Sequence, residues 1–160
     1  MKFKYFIFAS IGITLLYVIL IGLWGPSYSF STDVKVKSTH LDNYIAYVQK
    51  ANNYNAWKSG IQKVQSTEDL KKFFLTISEE GEIFHRLEKI DSISKGLEIN
   101  VTHPYYSNQI TLIKNQNGSI LLKQTIKGSS FIEHIFMPFI VKEIAAEYES
   151  DYKKVRALIE

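Results

Sequence analysis

From Tyr5 to Trp24 the sequence YFIFASIGITLLYVILIGLW carries no charged residue. As a helix this stretch is about 30 Å long, the thickness of a bilayer's hydrocarbon core. Lys2 and Lys4 precede it, Tyr5 and Trp24 fall where interfacial aromatics are common, and Gly25-Pro26 ends it. The pattern predicts a membrane anchor over residues 1–26 that meets the lipid bilayer through residues 5–24. A cleaved signal peptide is the competing reading, because Ser27-Tyr28-Ser29 offers small residues, but signal cores usually run about 7 to 15 residues. Lys2 and Lys4 favour placing the following residues on the extracytoplasmic side, with Lys35 and Lys37 counting against.

Residues 27–160 read as one domain. Tyr28, Phe30, Val34 and Val36 alternate with Ser29, Ser31, Asp33, Lys35 and Lys37, as a half-buried strand does. Leu41, Tyr44, Ile45 and Val48 then fall at helical spacing, with Thr39 as a cap and Asp42 three residues on. Asn52-Asn53 interrupt this helix, and one further turn is expected over Tyr54 to Lys58 before Ser59-Gly60. From Ile61 to Gly128 the pattern predicts a six-stranded meander. Phe73, Leu75 and Ile77 alternate, and Glu79 to Glu82 turn the chain. Ile83 to Ile90 alternates less regularly, which suggests a bulge or twist. Leu97, Ile99 and Val101, then Ile110 and Leu112, then Ile120, Leu122 and Ile126 complete the set around a hairpin at Asn117-Gly118. A helical pattern runs from Phe131 to the end. Pro138 is expected to interrupt it, leaving the main helix over about Phe139 to Leu158, with Glu143, Glu147, Glu149, Lys153 and Lys154 on a solvated face. This order predicts an α+β class, with one curved antiparallel sheet wrapped around the C-terminal helix.

Composition narrows the chemistry. Lys+Arg at 19 against Asp+Glu at 16 gives a net charge of only +3, and no basic stretch interleaved with aromatics offers a nucleic-acid surface. The absence of cysteine excludes disulfides, thiolate metal sites and cysteine nucleophiles. The surplus of Lys, Asn and Ile over Arg and Ala has the look of a bacterial coding bias.

The element order, with Val36-Lys-Ser-Thr-His-Leu-Asp-Asn-Tyr-Ile45 leading to Asn55-Ala-Trp57-Lys-Ser-Gly60-Ile, resembles the START-like (SRPBCC) superfamily of Bet v 1-type and polyketide-cyclase-type proteins, and in particular its small membrane-anchored bacterial members. The resemblance spans Tyr28 to Glu160 and rests on element order. It implies a helix-grip fold enclosing a hydrophobic cavity, and a function in binding a hydrophobic or lipid-like small molecule beside a bacterial cell membrane. A cyclase or hydrolase using the same cavity, and a filled domain that recruits an envelope protein, are the rival functions. Two departures stand out. No proline follows the first strand, and no catalytic set of any enzyme branch maps onto the sequence.

Within that frame, strand and helix parity nominates a cavity lining of His85, Leu87, Ile99, Val101, His103, Ile110, Leu112 and Gln124 from the sheet and Phe139, Ile144, Tyr148 and Tyr152 from the long helix. His85 and His103 are expected to hydrogen-bond a guest or to sit as satisfied core histidines, and the two tyrosines to orient an apolar guest or simply to pack on the sheet. None of the four histidines stands at metal-ligand spacing. Glu133-His134 does not read as a dyad, because adjacent helical residues point about 100° apart. No nucleophile elbow or phosphate loop occurs, so no catalytic residue, cofactor or metal is predicted.

Overall fold

The computed structural model describes residues 2–66, 71–79, 82–115 and 117–160. Helix α1 covers Lys2–Trp24. From Tyr5 onward it carries no charge, and between Ile7 and Ser10 and from Ile11 to Tyr17 every side chain is exposed. Only its last turns touch the domain: Val18 and Ile21 are half-buried and Gly22 is buried. A Cβ at Gly22 would lie 2.3 Å from the ring of Phe131, so the missing side chain is what lets the C-terminal helix approach.

Strand β1 (Ser27–Lys35) follows after Gly25-Pro26. Val34 and Val36 are buried and Tyr28 and Phe30 half-buried, the predicted face. A single 3₁₀ turn, Ser38–His40, then leads into α2 (Leu41–Gln49), so the residue preceding the helix is His40 and Thr39 makes no capping bond. Tyr44 and Val48 carry α2 into the core, and the Tyr44 hydroxyl donates to the Tyr152 carbonyl at 2.7 Å. A second 3₁₀ turn (Ala51–Asn53) and α3 (Tyr54–Trp57) bring Tyr54 and Trp57 inside.

The meander is β2 (Ile61–Ser66), β3 (Lys72–Glu79), β4 (Glu82–Ile93), β5 (Gly96–Thr102), β6 (Tyr106–Lys114) and β7 (Ser119–Gly128). With β1 it forms a seven-stranded antiparallel sheet in the order β1-β7-β6-β5-β4-β3-β2. From β2 to β7 sequence neighbours pair throughout, and β1 adds onto β7 from Ser27↔Lys127 to Lys35↔Ser119. Two residues of the expected turn after Glu79 lie outside the described residues, but Glu79 and Glu82 pair on either side of it. The irregularity expected in β4 is absent there. β4 pairs in continuous register with β3 and β5, and the register shift falls in β2, between Ile61 and Lys63. The sequence alternation of β4 blurs for another reason: its inward positions hold Arg86 and Glu88.

Helix α4 runs unbroken from Phe131 to Ile159 across the inner face of the sheet. Pro138 does not divide it. The proline forfeits one backbone hydrogen bond, but Met137 and Val141 on either side are fully packed, and this tertiary contact holds the turn. The sheet, α2, α3 and α4 share one core, in which Trp57, Tyr44, Tyr54, Tyr152 and Phe73 are the largest enclosed side chains. At the start of α4 the His134 ring sits between two carbonyl oxygens, that of Gly22 in α1 (2.8 Å from Nδ1) and that of Gly128 at the end of β7 (3.0 Å from Nε2).

Candidate functional site

A cleft of about 700 Å³ opens between α4 and the β2–β4 side of the sheet. One wall is Ser59 and Gly60 at the start of β2, Ser78 at the end of β3, and Glu82 and Phe84 at the start of β4; Tyr105 closes it from the β5–β6 turn, and α4 supplies Ile140, Glu143, Ile144 and Glu147. Local chemistry fixes this wall. Asp151 of α4 is buried and accepts from the Ser59 backbone N–H (3.0 Å) and hydroxyl (2.7 Å), while Lys154 reaches both Asp151 (2.9 Å) and Ser59 (2.8 Å). Gly60 follows with φ +68°, where its carbonyl accepts from Ser78 N–H at 2.9 Å; a Cβ would lie 2.9 Å from the Ser78 carbonyl oxygen. Only glycine meets both demands without strain. The lining is therefore two-sided in character, with Phe84, Tyr105, Ile140 and Ile144 apolar, Glu82, Glu143 and Glu147 acidic, and no Lys or Arg among the described residues that form it.

Buried behind the cleft lies a charged cluster that one-dimensional reading did not find. Lys58 donates to Glu88, and Arg86 pairs with the same carboxylate oxygen of Glu88 at 3.2 Å; the three side chains are at most 4% exposed. The Lys58 ammonium also lies 4.7 Å from the Tyr54 ring centre and 5.0 Å from that of Trp57, a cation–π cradle that partly replaces its lost water. Arg86 donates to the Tyr148 hydroxyl (3.1 Å), which lies 3.4 Å from that of Tyr106. Burial pushes the Lys58 amine down to about 8, with the second cation Arg86 adding to the effect and Glu88 opposing it. Burial likewise raises the hydroxyls of Tyr54, Tyr148 and Tyr152 well above the usual phenol range, so all three stay neutral. A second polar pair bridges sheet and helix: Asn108 donates to Gln124 (3.1 Å), and Gln124 donates to the Ala145 carbonyl (3.1 Å).

His103 closes the cluster at the β5–β6 turn. Its ring stacks on Tyr106 with centres 4.5 Å apart, and its Nδ1 accepts from the Tyr105 backbone N–H at 3.3 Å. Burial, and then the Arg86 charge, lower its pKa to about 4. An imidazole held neutral in the fold and ordinary when unfolded stabilises the fold fully above about 6.5; that stability is lost as pH falls toward 4. The urea midpoint is therefore expected to fall over this window, and His103→Gln to flatten that part of the profile. An unchanged profile in the variant would show that other groups carry the acid sensitivity.

The nominated lining does not assemble as one site. Ile99, Val101, Ile110 and Leu112 are packed into the core, together with Tyr148, Tyr152 and Gln124. Ile144 alone of the nominated residues lines the large cleft. His85 and Leu87 do not face inward: His85 is exposed and Leu87 half-buried on the outer surface, because the inward positions of β4 are the even-numbered Arg86, Glu88 and Ile90. Together with His103, Arg86, Phe74 and Thr102 these two border a smaller, more open depression, so three of the nominated residues, His85, Leu87 and His103, do meet there. Phe139 is 77% exposed, since α4 turns Met137 and Val141 inward. Glu143 and Glu147 are exposed, as expected of a solvated face, and they also line the cleft. Missed altogether were Lys58, Arg86, Glu88 and Asp151. The irregular alternation of β4 was the only trace of two of them.

No protein-family model and no curated protein sequence matches the chain. Solved structures do. A START superfamily protein from Mycobacterium smegmatis superposes with a TM-score of 0.60 at 9% identity, over 84% of this chain and 99% of that one. Ara h 8.0201 gives 0.63 at 13% identity, over 84% and 97%. The ZhuI aromatase/cyclase from Streptomyces sp. R1128 gives 0.63 at 11% identity, over 85% and 96%. With its seven-stranded antiparallel sheet gripping one long C-terminal helix, this chain has the START-like helix-grip fold.

Proposed function

We propose that this protein is a membrane-tethered binding module for a hydrophobic or amphipathic, lipid-like small molecule. The observation that carries the reading is the cleft between α4 and the β2–β4 side of the sheet. Its volume of about 700 Å³ falls within the roughly 300–1,000 Å³ range of small-molecule sites. Phe84, Tyr105, Ile140 and Ile144 suit an apolar body, and Glu82, Glu143 and Glu147 suit a hydrogen-bond-donating or cationic end. The helix-grip neighbours include an aromatase/cyclase, but the two groups here whose basicity is markedly lowered, Lys58 and His103, do not line the cleft, and Lys58 is sealed inside with Glu88. A reacting group needs contact with substrate, so binding is favoured over cyclisation or hydrolysis. The tether is the apolar helix over Ile7–Trp24, which is long and apolar enough to cross a membrane.

Full-length protein, stripped of lipid in detergent, is expected to take up one equivalent of a fluorescent fatty acid or of a polycyclic aromatic probe. Ile144→Glu, which places a fourth carboxylate in the cleft, is expected to abolish uptake while leaving the circular dichroism spectrum intact. Failure of fatty acid, lysophospholipid and polycyclic probes alike to bind would overturn the reading.

A further inference from the structure

The end of the domain from which α1 departs is also its most apolar surface. Register fixes which segments share that end. Ser27 pairs with Lys127 and Tyr106 with Gly128, so the start of β1, the end of β7 and the β5–β6 turn lie together. Leu87 pairs with Thr102, which carries the first residues of β4 past the end of β5 on the same side. α4 starts here too, with Phe131 against Gly22, and runs to the opposite end, where Glu160 accepts from the Lys37 backbone N–H at 3.0 Å. On the anchor end Ile83, Tyr105, Ile132, Phe136, Phe139 and Ile140 are all exposed, from 40% for Ile140 to 77% for Phe139. Leu23 and Trp24, at the last turn of α1, are exposed beside them. Along α4 the stripe through Ile132, Phe136 and Ile140 continues as Glu143 and Glu147, apolar up to the mouth of the cleft and acidic along its far part.

We propose that this end is a second membrane-contacting surface, on which the first turns of α4 and the tips of β4 and the β5–β6 turn lie in the interfacial layer of the leaflet that α1 enters. The proposal rests on the membrane reading of α1 and deepens it. Continuity with that helix selects lipid as the occupant. The contact of Phe131 with Gly22 pins the start of α4 to the anchor's last turn. Ile132 and Phe136 lie no more than about 8 Å further along the axis, a distance comparable with the interfacial layer flanking the hydrocarbon core. Aromatic and aliphatic side chains at that depth bury their surface without having to cross the bilayer. Tyr105 and Ile140 belong both to this surface and to the cleft lining, so the cleft opens at the membrane, where an amphipathic guest enters from the leaflet without crossing water.

The chain has no cysteine, so Ile132→Cys, Phe139→Cys, Ile13→Cys and Arg156→Cys each give a single labelling site in the full chain. Each carries a polarity-sensitive fluorophore after reconstitution into phosphatidylcholine vesicles, with nitroxides borne on lipid or iodide in the water as quencher. The labels at 132 and 139 are expected to shift to the blue and lose emission to headgroup-level nitroxides, that at 13 to deep nitroxides, and that at 156 to iodide alone. If 132 and 139 behave like 156 while 13 remains lipid-quenched, the docking surface is overturned and the anchor stands. If 13 is also quenched only by iodide, both fall. A blue shift at 139 that ignores lipid nitroxides and fades as protein is diluted in the bilayer would assign the surface to a second copy of the chain, and overturns the proposal as well. None of these readouts depends on a guest occupying the cleft.

Discussion

Glu88→Gln is expected to destabilise the domain by about 3–5 kcal/mol, the range for breaking a buried ion pair by removing one partner. The carboxylate is fully buried and serves two cations, Lys58 and Arg86, so the trio carries one net positive charge. Without Glu88 the amide leaves two ammonium-type groups enclosed with aromatic rings and neutral tyrosines. Asp151 and Glu147 act on them only from the edges. The complementary change has the opposite character. Lys58→Met leaves a neutral Arg86–Glu88 pair and removes a desolvated ammonium, so its expected cost is below about 1.5 kcal/mol, as for a volume-conserving core swap. Urea unfolding of both variants, followed by the fluorescence of buried Trp57, tests the asymmetry. Equal costs for the two would mean that the carboxylate is not shared.

The second large effect is on alkaline stability. An amine whose pKa is about 8 in the fold and about 10.5 when unfolded binds fewer protons folded than unfolded between those values. Stability must therefore rise with pH across that window. The contribution is complete above about 10.5 and is lost as pH falls through 8, and a gap of this size amounts to about 3 kcal/mol. The expected result is a urea midpoint that climbs from pH 8 to 10 in the wild type relative to Lys58→Met. Surface lysines and tyrosines titrate in both proteins and cancel in the difference. A flat difference would place Lys58 in contact with water.

Much of the architecture was readable because most strands obey a clean rule. On β5, β6 and β7 the inward positions Leu97, Ile99, Ile110, Leu112, Ile120 and Leu122 are apolar, the paired Asn108 and Gln124 apart, so parity and burial agree. β4 breaks the rule. Its inward face carries Arg86 and Glu88, and the apolar Leu87 between them marks the outer surface, which turned His85 and Leu87 to the wrong side. No local pattern can reveal that Lys58, thirty positions from Glu88, neutralises it across the core. The first turns of α4 failed differently. Phe131 to Ile140 is apolar on nearly every side, so periodicity cannot say which face is buried, and it is Met137 and Val141 that turn into the core while Phe139 is exposed. The acidic cleft wall hid in plain view, since Glu143 and Glu147 look the same in sequence whether they face bulk water or a cleft.

The His134 ring has a mechanical consequence. Two residues, Gly25 and Pro26, separate α1 from β1, and the imidazole spans from the Gly22 carbonyl to the Gly128 carbonyl across that short gap. The joint is therefore short and bridged by one side chain, closer to a crank than to a leash. Tilt or rotation of α1 is expected to turn the whole sheet with it, and with α1 in the bilayer, as proposed, the domain's reach is set by lateral travel of the helix rather than by swinging into the surrounding volume.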